Sequence, residues 1–416
     1  MTSWPASCST SIDGSPDDRR AVRIVAFPYH DWRKGDVEGR RWRDAHLIEA
    51  LASRPEIERI LVIDRPVSRA ERIIKRADAW VAGTPLAERG DRRASARITK
   101  VSEKIDVLDI HVPDLVGPLL RRRGWWFDTF ADARVLEHLR WAVAATGGDD
   151  PVAFAWTPTV APAVESLQPR ALLFDSLDNW MIHPRLRHQR RRAAAAYAAL
   201  LPTATAVVAS APASRAVLER WADEVVVIPN GVDPGAFQGE FARPQDLPKR
   251  PVVGYAGSLS SRIDVDLVVE TAAGLPDASF VFVGPTFESG PIRKMRGIPN
   301  IHLLGNRHYA AVPAYVRHFD VAWIPHAVGR GETGGDPIKM YEYWAAGCEV
   351  VATPIDGLDA WSDRLHLVGE PAAAIRTIEG LIEGTIAPKH ATVPVDRTWD
   401  AIARQMLGLL GPRGDR

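Results

Sequence analysis

Short apolar runs alternate with amphipathic stretches throughout the first half of the chain. Two of the stretches, residues 42–54 and 191–201, space their apolar positions as helices do. The apolar runs are nearly continuous, which is typical of strands buried on both faces of a parallel sheet. They predict strands at 23–27, 59–64, 107–112, 152–156, 171–176, 205–210 and 225–229. This half of the sequence therefore predicts a parallel sheet covered by helices on both faces.

The same pattern restarts after two breaks, a turn-rich segment at 229–237 and a polar, proline-rich segment at 242–251. Helices are predicted at 310–319 and at 395–410, where an apolar stripe marks an amphipathic helix. That stripe comprises Trp399, Ile402, Met406 and Leu409. Strands are predicted at 251–257, 279–284, 301–305, 321–325, 349–353 and 365–369. A second α/β unit is thus expected after residue 230.

We predict an α/β protein built from two doubly wound, Rossmann-like domains. Ligands bind at the carboxyl ends of strands in such sheets, so two facing domains place a site in the cleft between them. The expected divisions are a disordered tail at 1–20, an N-terminal domain at 21–229, a C-terminal domain at 230–392, and a final helix and tail at 393–416.

Composition narrows the class of protein. The 416 residues contain 52 Lys plus Arg and 52 Asp plus Glu, so the formal net charge is zero and does not indicate a nucleic-acid-binding protein. Cys8 and Cys348 lie far apart, which fits a reducing cytoplasm and neither a disulfide framework nor a metal cluster. No apolar run approaches the roughly 18–20 residues that span a bilayer, and the first 20 residues lack the apolar centre of a signal peptide. The expected location is the cytoplasm.

The candidate chemistry lies around residues 326–345. A glycine-rich loop at 326–335 leads to Asp336 and Pro337, which predict a helix with an Asp N-cap and proline at its first position. Such a helix end is an anion site by geometry. Lys339 near that end opposes the helix dipole unless a phosphate lies in front of it. Glu342 follows on the same face and could accept the hydroxyls of a ribose; the competing interpretation is a surface ion pair with Lys339.

The stretch "DPIKMYEYWAAGCEVVATPI" resembles the donor site of GT-B glycosyltransferases of the large retaining group called family 4. Further similar segments are 207–233, 252–264, 40–54 and 172–180, the last two typical of a bacterial envelope-polysaccharide subgroup with a DPxKxYEY pattern. The resemblance covers most of the chain. It implies the GT-B fold, in which the final helix is expected to cross back to the N-terminal domain. It also implies a UDP- or GDP-linked sugar held by the C-terminal domain and an acceptor held by the N-terminal domain, with no other cofactor.

The resemblance also implies roles for single residues. Glu342 matches the carboxylate that binds the ribose, Gly257 the glycine that admits the diphosphate, and Arg262 a basic residue on those phosphates. Lys339 would supply the second positive charge. The family often has another Glu where this chain has Gly334, and Glu332 is a candidate substitute. The expected donor-binding set is Gly257, Ser258, Arg262, Glu332, Gly334, Gly335, Asp336, Lys339 and Glu342.

The resemblance further implies a metal-independent reaction with retention, in which the leaving phosphate takes the acceptor's proton. Arg262 and Lys339 would stabilise the departing diphosphate. On the N-terminal side, Asp178 follows the predicted strand 171–176 and His30 follows the first strand; both are candidate catalytic residues. A helix cap for Asp178 and a packed histidine for His30 are the competing interpretations. Asp175, Trp180 and Asp31 are further candidates for the cleft wall.

Two other functions compete with glycosyl transfer. The segment "GRGETG" (329–334) fits a dinucleotide-binding pattern with Asp356 as its acidic residue, but the predicted helix begins beyond those glycines. A nucleotide-sugar epimerase of similar fold would convert its donor without an acceptor, and a non-catalytic protein would only bind it. The preferred prediction is a glycosyltransferase that acts on a polysaccharide or glycolipid.

Arg and Trp cluster at 185–192 and 121–130 in the N-terminal half. Such clusters could touch an anionic membrane at the inner face or a lipid-linked acceptor. The competing interpretation, a solvated helix face with core tryptophans, is favoured.

Overall fold

The computed structural model describes residues 21–411 except 76–79, 91–93, 115–116, 118–119, 121, 149, 184–185, 288 and 330–334. Two separate sheets organise these residues. The chain leaves the first sheet at Val227 and enters the second at Val252. The domain limits given above stay predictions.

The first sheet has ten strands in the order β10-β9-β8-β7-β1-β2-β6-β5-β4, with β3 beside β6. Its strands are β1 (Val22–Phe27), β2 (Ile57–Ile63), β3 (Val67–Ser68), β4 (Thr84–Gly90), β5 (Ser95–Lys100), β6 (Ile105–Val112), β7 (Val152–Ala155), β8 (Ala171–Ser176), β9 (Ala206–Ala209) and β10 (Val226–Val227). Ile24 and Ala26 of β1 pack in one core cluster and Val25 and Phe27 in another. Alternate residues therefore bury both faces, as the continuous apolar runs predicted.

The first sheet is parallel, as predicted, except at one edge, where the antiparallel pairing was not predicted. Strands β4 and β5 pair antiparallel with each other, and β5 pairs antiparallel with β6. Strand β4 is almost entirely exposed, and β5 is only half buried. An edge hairpin of this kind carries no continuous apolar run, so its sequence gives no signal of a buried parallel strand.

The second sheet is parallel throughout, in the order β13-β12-β11-β14-β15-β16. Its strands are β11 (Val252–Ala256), β12 (Ser279–Val283), β13 (Ile301–Gly305), β14 (Val321–Ile324), β15 (Val350–Ala352) and β16 (His366–Leu367). Each lies within a segment predicted as a strand. Two doubly wound sheets are thus present, as predicted.

Helices connect the strands of both sheets. Within the described residues they are α1 (Trp32–Glu38), α2 (Arg43–Ala52), α3 (Arg69–Lys75), α4 (Trp126–Thr129), α5 (Ala133–Ala145), α6 (Ala161–Leu167), α7 (Arg190–Leu200), α8 (Pro212–Leu218), α9 (Val265–Gly274), α10 (Ser289–Met295), α11 (Val312–Val316), α12 (Ile338–Ala345), α13 (Pro371–Glu383) and α14 (Trp399–Gly408). Across the described part of the chain, none of them is long and apolar enough to cross a membrane.

Helix α14 crosses back to the first sheet, as predicted. Its Trp399, Ile402 and Met406 are buried in a core cluster that also contains residues of α2 and β1. The ring of His46 on α2 stacks on Trp399 with centroids 5.1 Å apart. Beside this contact, the backbone of Val232 bonds to that of Arg397 (3.0 Å) and to that of Trp399 (3.2 Å). The two chain crossings between the sheets therefore run side by side.

Candidate functional site

A cavity of about 650 Å³ lies between the two sheets. Loops that follow β1 and β8 line one wall, and loops that follow β11, β12 and β14 line the other. Because parallel strands expose their following loops at the same edge, both carboxyl edges open on this cleft. The site is thus where the doubly wound topology places it.

Helix α12 begins one residue later than predicted, and its predicted cap was wrong. Pro337 occupies the N-cap position and Ile338 is the first helical residue. One oxygen of Asp336 accepts from Tyr341 Oη (2.6 Å), and the other accepts from the backbone N–H of Asn230. Burial raises the pKa of Asp336. Its carboxyl group ties α12 to the linker between the sheets and does not cap the helix.

Lys339, in the first turn of α12, lies against the turn after β11. Its Nζ is 5.4 Å from the centre of the Tyr255 ring. A Cβ at Gly257 would lie 2.8 Å from Lys339 Cε, so a side chain at this position would clash with the aliphatic part of Lys339 where it now lies. Burial lowers the pKa of Lys339 to about 8; Glu342 opposes the shift and Arg262 adds to it. The lysine, Gly257 and Arg262 are thus neighbours across the C-terminal wall.

Glu342 lies one turn deeper on α12 and is 6% exposed. Its Oε1 accepts a hydrogen bond of 2.6 Å from Tyr309 Oη. Burial raises the pKa of Glu342, against the opposing effects of this bond and of the Lys339 and Arg41 cations. Tyr309 and Arg41 were missed by the sequence analysis, because no local pattern links them to a residue far along the chain.

Arg262 and Asp178 face each other across the cleft. Arg262 Nη2 lies 3.4 Å from Asp178 Oδ1, and the Arg262 side chain is 45% exposed. The two residues follow strands of different sheets. The structure therefore brings the expected phosphate ligand and the expected N-terminal residue together across the cleft.

His30 also lines the N-terminal wall. Its ring stacks on that of Trp42 with centroids 4.5 Å apart. Its Nδ1 is 3.1 Å from Asp44 Oδ1. Asp44, on α2, is fully buried and was not predicted as part of the site. The histidine is therefore held in place on two sides.

Two further carboxylates from the sequence analysis have structural partners. Asp175 is fully buried, and Arg43 and Trp156 donate to it at 2.8 Å each, so the expectation that it lines the cleft was wrong. Asp31 does line the cleft and forms an ion pair with Arg65 at 3.1 Å. The sequence shows only that Asp175 lies near the end of a strand. That position is the same whether the carboxylate faces a ligand or the core, which explains the error for Asp175.

Arg43 has a role that its sequence context did not reveal. It is 2% exposed, and its guanidinium reaches Asp175 and the linker between the sheets. It donates to the carbonyls of Ile228 (2.9 Å) and Pro229 (2.8 Å) and to Asn230 Oδ1 (3.2 Å). Arg43 thus fixes the linker that joins the two walls of the cleft.

The remaining residues of the expected donor-binding set differ in their surroundings. Ser258 lines the cleft, and its carbonyl accepts from Tyr255 Oη at 3.2 Å. A Cβ at Gly335 would lie 1.9 Å from the carbonyl oxygen of Asp356, so this glycine serves the packing of two loops. Glu332 and Gly334 lie outside the described residues.

His326, two residues beyond the end of β14, was not predicted as a site residue but lines the cleft. Burial, with the neighbouring Lys339 and Arg262 cations, holds the pKa of His326 well below its usual range. The imidazole is therefore neutral and adds no further positive charge. Its Nε2 lies 3.4 Å from Tyr255 Oη. The position directly after a predicted strand was the available sequence signal.

The basic clusters divide into exposed and packed residues. Arg190 and Arg191 are exposed at the start of α7, whereas Arg192 donates to the carbonyl of Gly124 at 2.7 Å and to Asp128. Trp125 is buried in the core. The favoured interpretation, a solvated helix face beside core tryptophans, agrees with these placements.

Residues 250–384 match the family described as "Glycosyl transferases group 1". The putative teichuronic acid biosynthesis glycosyltransferase TuaH of Bacillus subtilis (strain 168) is 23% identical over 203 residues, which are 45% of this chain and 51% of TuaH. The match thus spans about half the length of this curated relative.

Two solved structures resemble nearly the whole chain. The α,α-trehalose-phosphate synthase (UDP-forming) from Burkholderia xenovorans, in complex with glucose-6-phosphate, has a TM-score of 0.57 at 10% identity and covers 94% of this chain and 96% of its own. HepE of Anabaena, in complex with UDP-glucose, has a TM-score of 0.55 at 17% identity and covers 93% and 96%. The protein therefore has the GT-B glycosyltransferase fold, and its residues 250–384 are similar to glycosyl transferases group 1.

Proposed function

We propose that the protein transfers a sugar from a UDP- or GDP-linked donor to a polysaccharide or glycolipid acceptor. The observation that carries the proposal is the group formed by Lys339, Arg262, Gly257 and Glu342 on one wall of an interdomain cleft. The similarity of residues 250–384 to glycosyl transferases group 1 supports it. So does the fold shared with a structure that holds UDP-glucose.

The group matches the chemistry of a nucleoside diphosphate. Two cations, Lys339 and Arg262, offer charge to the phosphates, and Gly257 leaves the backbone approachable beside them. Glu342 has one carboxylate oxygen bonded to Tyr309, which leaves acceptor capacity for ribose hydroxyls. A surface ion pair does not account for a glutamate that is 6% exposed.

The proposed mechanism is metal-independent and proceeds with retention. Arg262 and Lys339 stabilise the charge that develops on the departing diphosphate, usually the largest single contribution to catalysis. The leaving phosphate takes the proton of the acceptor hydroxyl on the same face of the sugar. Asp178 forms an ion pair with Arg262, and the phosphates of a bound donor would compete with Asp178 for this guanidinium. EDTA is expected to leave the rate unchanged, and NMR of the product should show the donor's anomeric configuration.

Donor binding is tested by thermal unfolding with a panel of UDP- and GDP-sugars. A true donor should raise the melting temperature by mass action, and Glu342→Gln should abolish the rise. Glu379→Gln is the matched control, because Glu379 is exposed on α13, remote in sequence from the cleft residues. No response to any nucleotide, or an equal response in the Glu342 and Glu379 variants, would contradict the proposal.

Release of the nucleoside diphosphate separates transfer from the two competing functions. A transferase releases it only when an acceptor is present, an epimerase converts the sugar without releasing it, and a binding protein does neither. Coupled detection of UDP or GDP, with and without saccharide acceptors, distinguishes the three outcomes.

A lipid-linked acceptor and peripheral contact with a membrane are further parts of the proposal. The exposed Arg190 and Arg191 support them, since basic residues near an anionic membrane each contribute about 1 kcal/mol. The double variant Arg190→Ser, Arg191→Ser should lower binding to vesicles that contain anionic lipid. Its control is Arg376→Ser with Arg404→Ser, two exposed arginines elsewhere. Equal binding by both double variants would refute membrane contact through α7.

A further inference from the structure

The contact between His30 and Asp44 has a geometry that a simple surface ion pair lacks. His30 Nδ1 lies 3.1 Å from Oδ1 and 3.2 Å from Oδ2 of Asp44. The same Oδ2 accepts from the backbone N–H groups of Tyr29 and His30, at 2.9 Å each. Asp44 Oδ1 also accepts from the N–H of Ala45 at 3.1 Å. The carboxylate is fully buried and fully occupied.

Asp44 fixes where a neutral His30 carries its proton. Burial alone would raise the pKa of Asp44, but His30 and the backbone donors together hold it below the usual value. The group is therefore a carboxylate, which only accepts hydrogen bonds, so Nδ1 of His30 must carry a proton. In the neutral ring, Nε2 then keeps a lone pair.

The edge of the His30 ring that carries Nε2 lies at the cleft. His30 lines the cavity, and its Nε2 has no hydrogen-bond partner among the residues that the structure describes. Trp42 stacks on one face of the ring, and Tyr29 meets it edge-on with centroids 4.8 Å apart. Tyr29 in turn contacts the ring of Trp180. The wall around His30 is therefore aromatic and presents the fixed Nε2 lone pair as an acceptor, whereas Arg262 and Lys339 belong to the opposite wall.

We propose that His30, held in one tautomer by Asp44, accepts a hydrogen bond through Nε2 from a hydroxyl of the saccharide acceptor. The inference rests on the proposed function, because it assumes that a sugar occupies this cleft. Asp44 is a positioning residue that acts through His30. An aromatic wall offers apolar faces to a sugar ring, and a single lone pair selects a hydroxyl over an anionic group, which carries no proton to donate.

Replacing Asp44 by Asn should reverse the tautomer. Two backbone N–H groups point at Oδ2, so the amide oxygen of Asn must remain on that side. Its NH₂ group then takes the place of Oδ1, 3.1 Å from His30 Nδ1, and gives up the bond that Ala45 N–H donates to Oδ1. Nδ1 should therefore become the acceptor of this NH₂ group and leave the proton on Nε2. The cleft-facing atom changes from acceptor to donor without any change in shape.

The tautomer is measured by ¹⁵N NMR of the full chain with labelled histidine at about pH 8. The signal of His30 among 12 histidines is identified by its absence in His30→Asn. The expected spectrum of the unsubstituted protein shows a protonated Nδ1 and an unprotonated Nε2, with the two interchanged in Asp44→Asn. A mixture of tautomers, or protons on both nitrogens, would overturn the proposal even if Asp44→Asn fails to fold.

Contact with a sugar is measured on the same signal. The protein is first saturated with UDP or GDP, whichever raises its melting temperature. Methyl glycosides of glucose, galactose and mannose are then added as acceptor probes. At least one probe should shift the Nε2 resonance, and His30→Asn, which keeps an amide donor to Asp44, should bind that probe about tenfold more weakly. Its affinity for the nucleotide should be unchanged.

The outcomes separate the two proposals. Absence of nucleotide binding refutes the proposed function but leaves the tautomer result standing. Nucleotide binding with an unmoved Nε2 resonance for every probe, or equal probe affinity in His30→Asn, overturns the role of His30 alone.

Discussion

Lys339 offers a direct test of the diphosphate hypothesis because its charge changes within an accessible pH range. Burial, with Arg262, lowers its pKa to about 8. A diphosphate beside the ammonium favours the charged form, so the pKa of Lys339 must rise when the nucleotide binds. The nucleotide therefore binds the protonated protein more tightly, and affinity is lost as the pH rises through the pKa of the free protein.

The magnitude follows from the protonated fraction of Lys339 in the free protein. Between about pH 7 and about pH 9 this fraction falls roughly tenfold for a pKa of about 8. The dissociation constant for UDP or GDP should rise about tenfold over the same range, which corresponds to about 1.4 kcal/mol. At the higher pH, binding should take up close to one proton.

Isothermal titration calorimetry in buffers of different ionisation enthalpy measures both the affinity and the proton uptake. Lys339→Arg keeps its charge throughout this range and should show no such dependence. Lys339→Met should bind the nucleotide weakly at both pH values. Any slope of affinity against pH that this variant retains reports titration of other groups, including the nucleotide. Equal slopes in the unsubstituted protein and Lys339→Met would refute the placement of the phosphates beside Lys339.

Two further predictions concern groups that hold the cleft together. Arg43→Met leaves the buried carboxylate of Asp175 without its cation and should lower the free energy of unfolding by about 3–5 kcal/mol in urea denaturation. The control Arg404→Met, on an exposed helix face, should lower it by at most about 0.5 kcal/mol. Similar losses in both variants would contradict the role of Arg43. Tyr309→Phe removes the donor to buried Glu342 and should cost about 1–3 kcal/mol at about pH 8. This loss of stability should become smaller in acid, because burial raises the pKa of Glu342 and its protonated form needs the Tyr309 donor less. A loss of stability that does not change with pH would refute the role of the Tyr309–Glu342 hydrogen bond.

The C-terminal wall of the cleft was largely predictable because its residues lie within short segments. Lys339 and Glu342 are three residues apart on one helix, and the structure places both at the cleft. The error at Asp336 has a physical cause. Asp followed by Pro usually begins a helix, but here the carboxylate bonds to Asn230, 106 residues earlier, and the cap position passes to Pro337. A strong local preference yielded to a buried tertiary contact.

The N-terminal wall was predicted less completely. His30 and Asp178 were candidates because each follows a strand, but the partners that define them, Asp44 and Arg262, come from α2 and from the other sheet. Asp175 looked equivalent to Asp178 in the sequence, yet it points into the core toward Arg43. Asp175 lies within β8, where successive side chains point to opposite faces of the sheet, so a position near the end of a strand does not determine which side chain reaches the cleft.

The sequence by itself determined the two sheets, most of their strands, and the helix that carries Lys339 and Glu342. These features follow from the periodicity of apolar positions, which is a local property of the chain. Only the tertiary structure decided that Tyr309 would bond to Glu342, that Asp44 would hold His30, and that Arg43 would fix the linker. Each of these is a buried polar group that needs a partner of matching geometry, and that partner is found by proximity in space rather than along the chain.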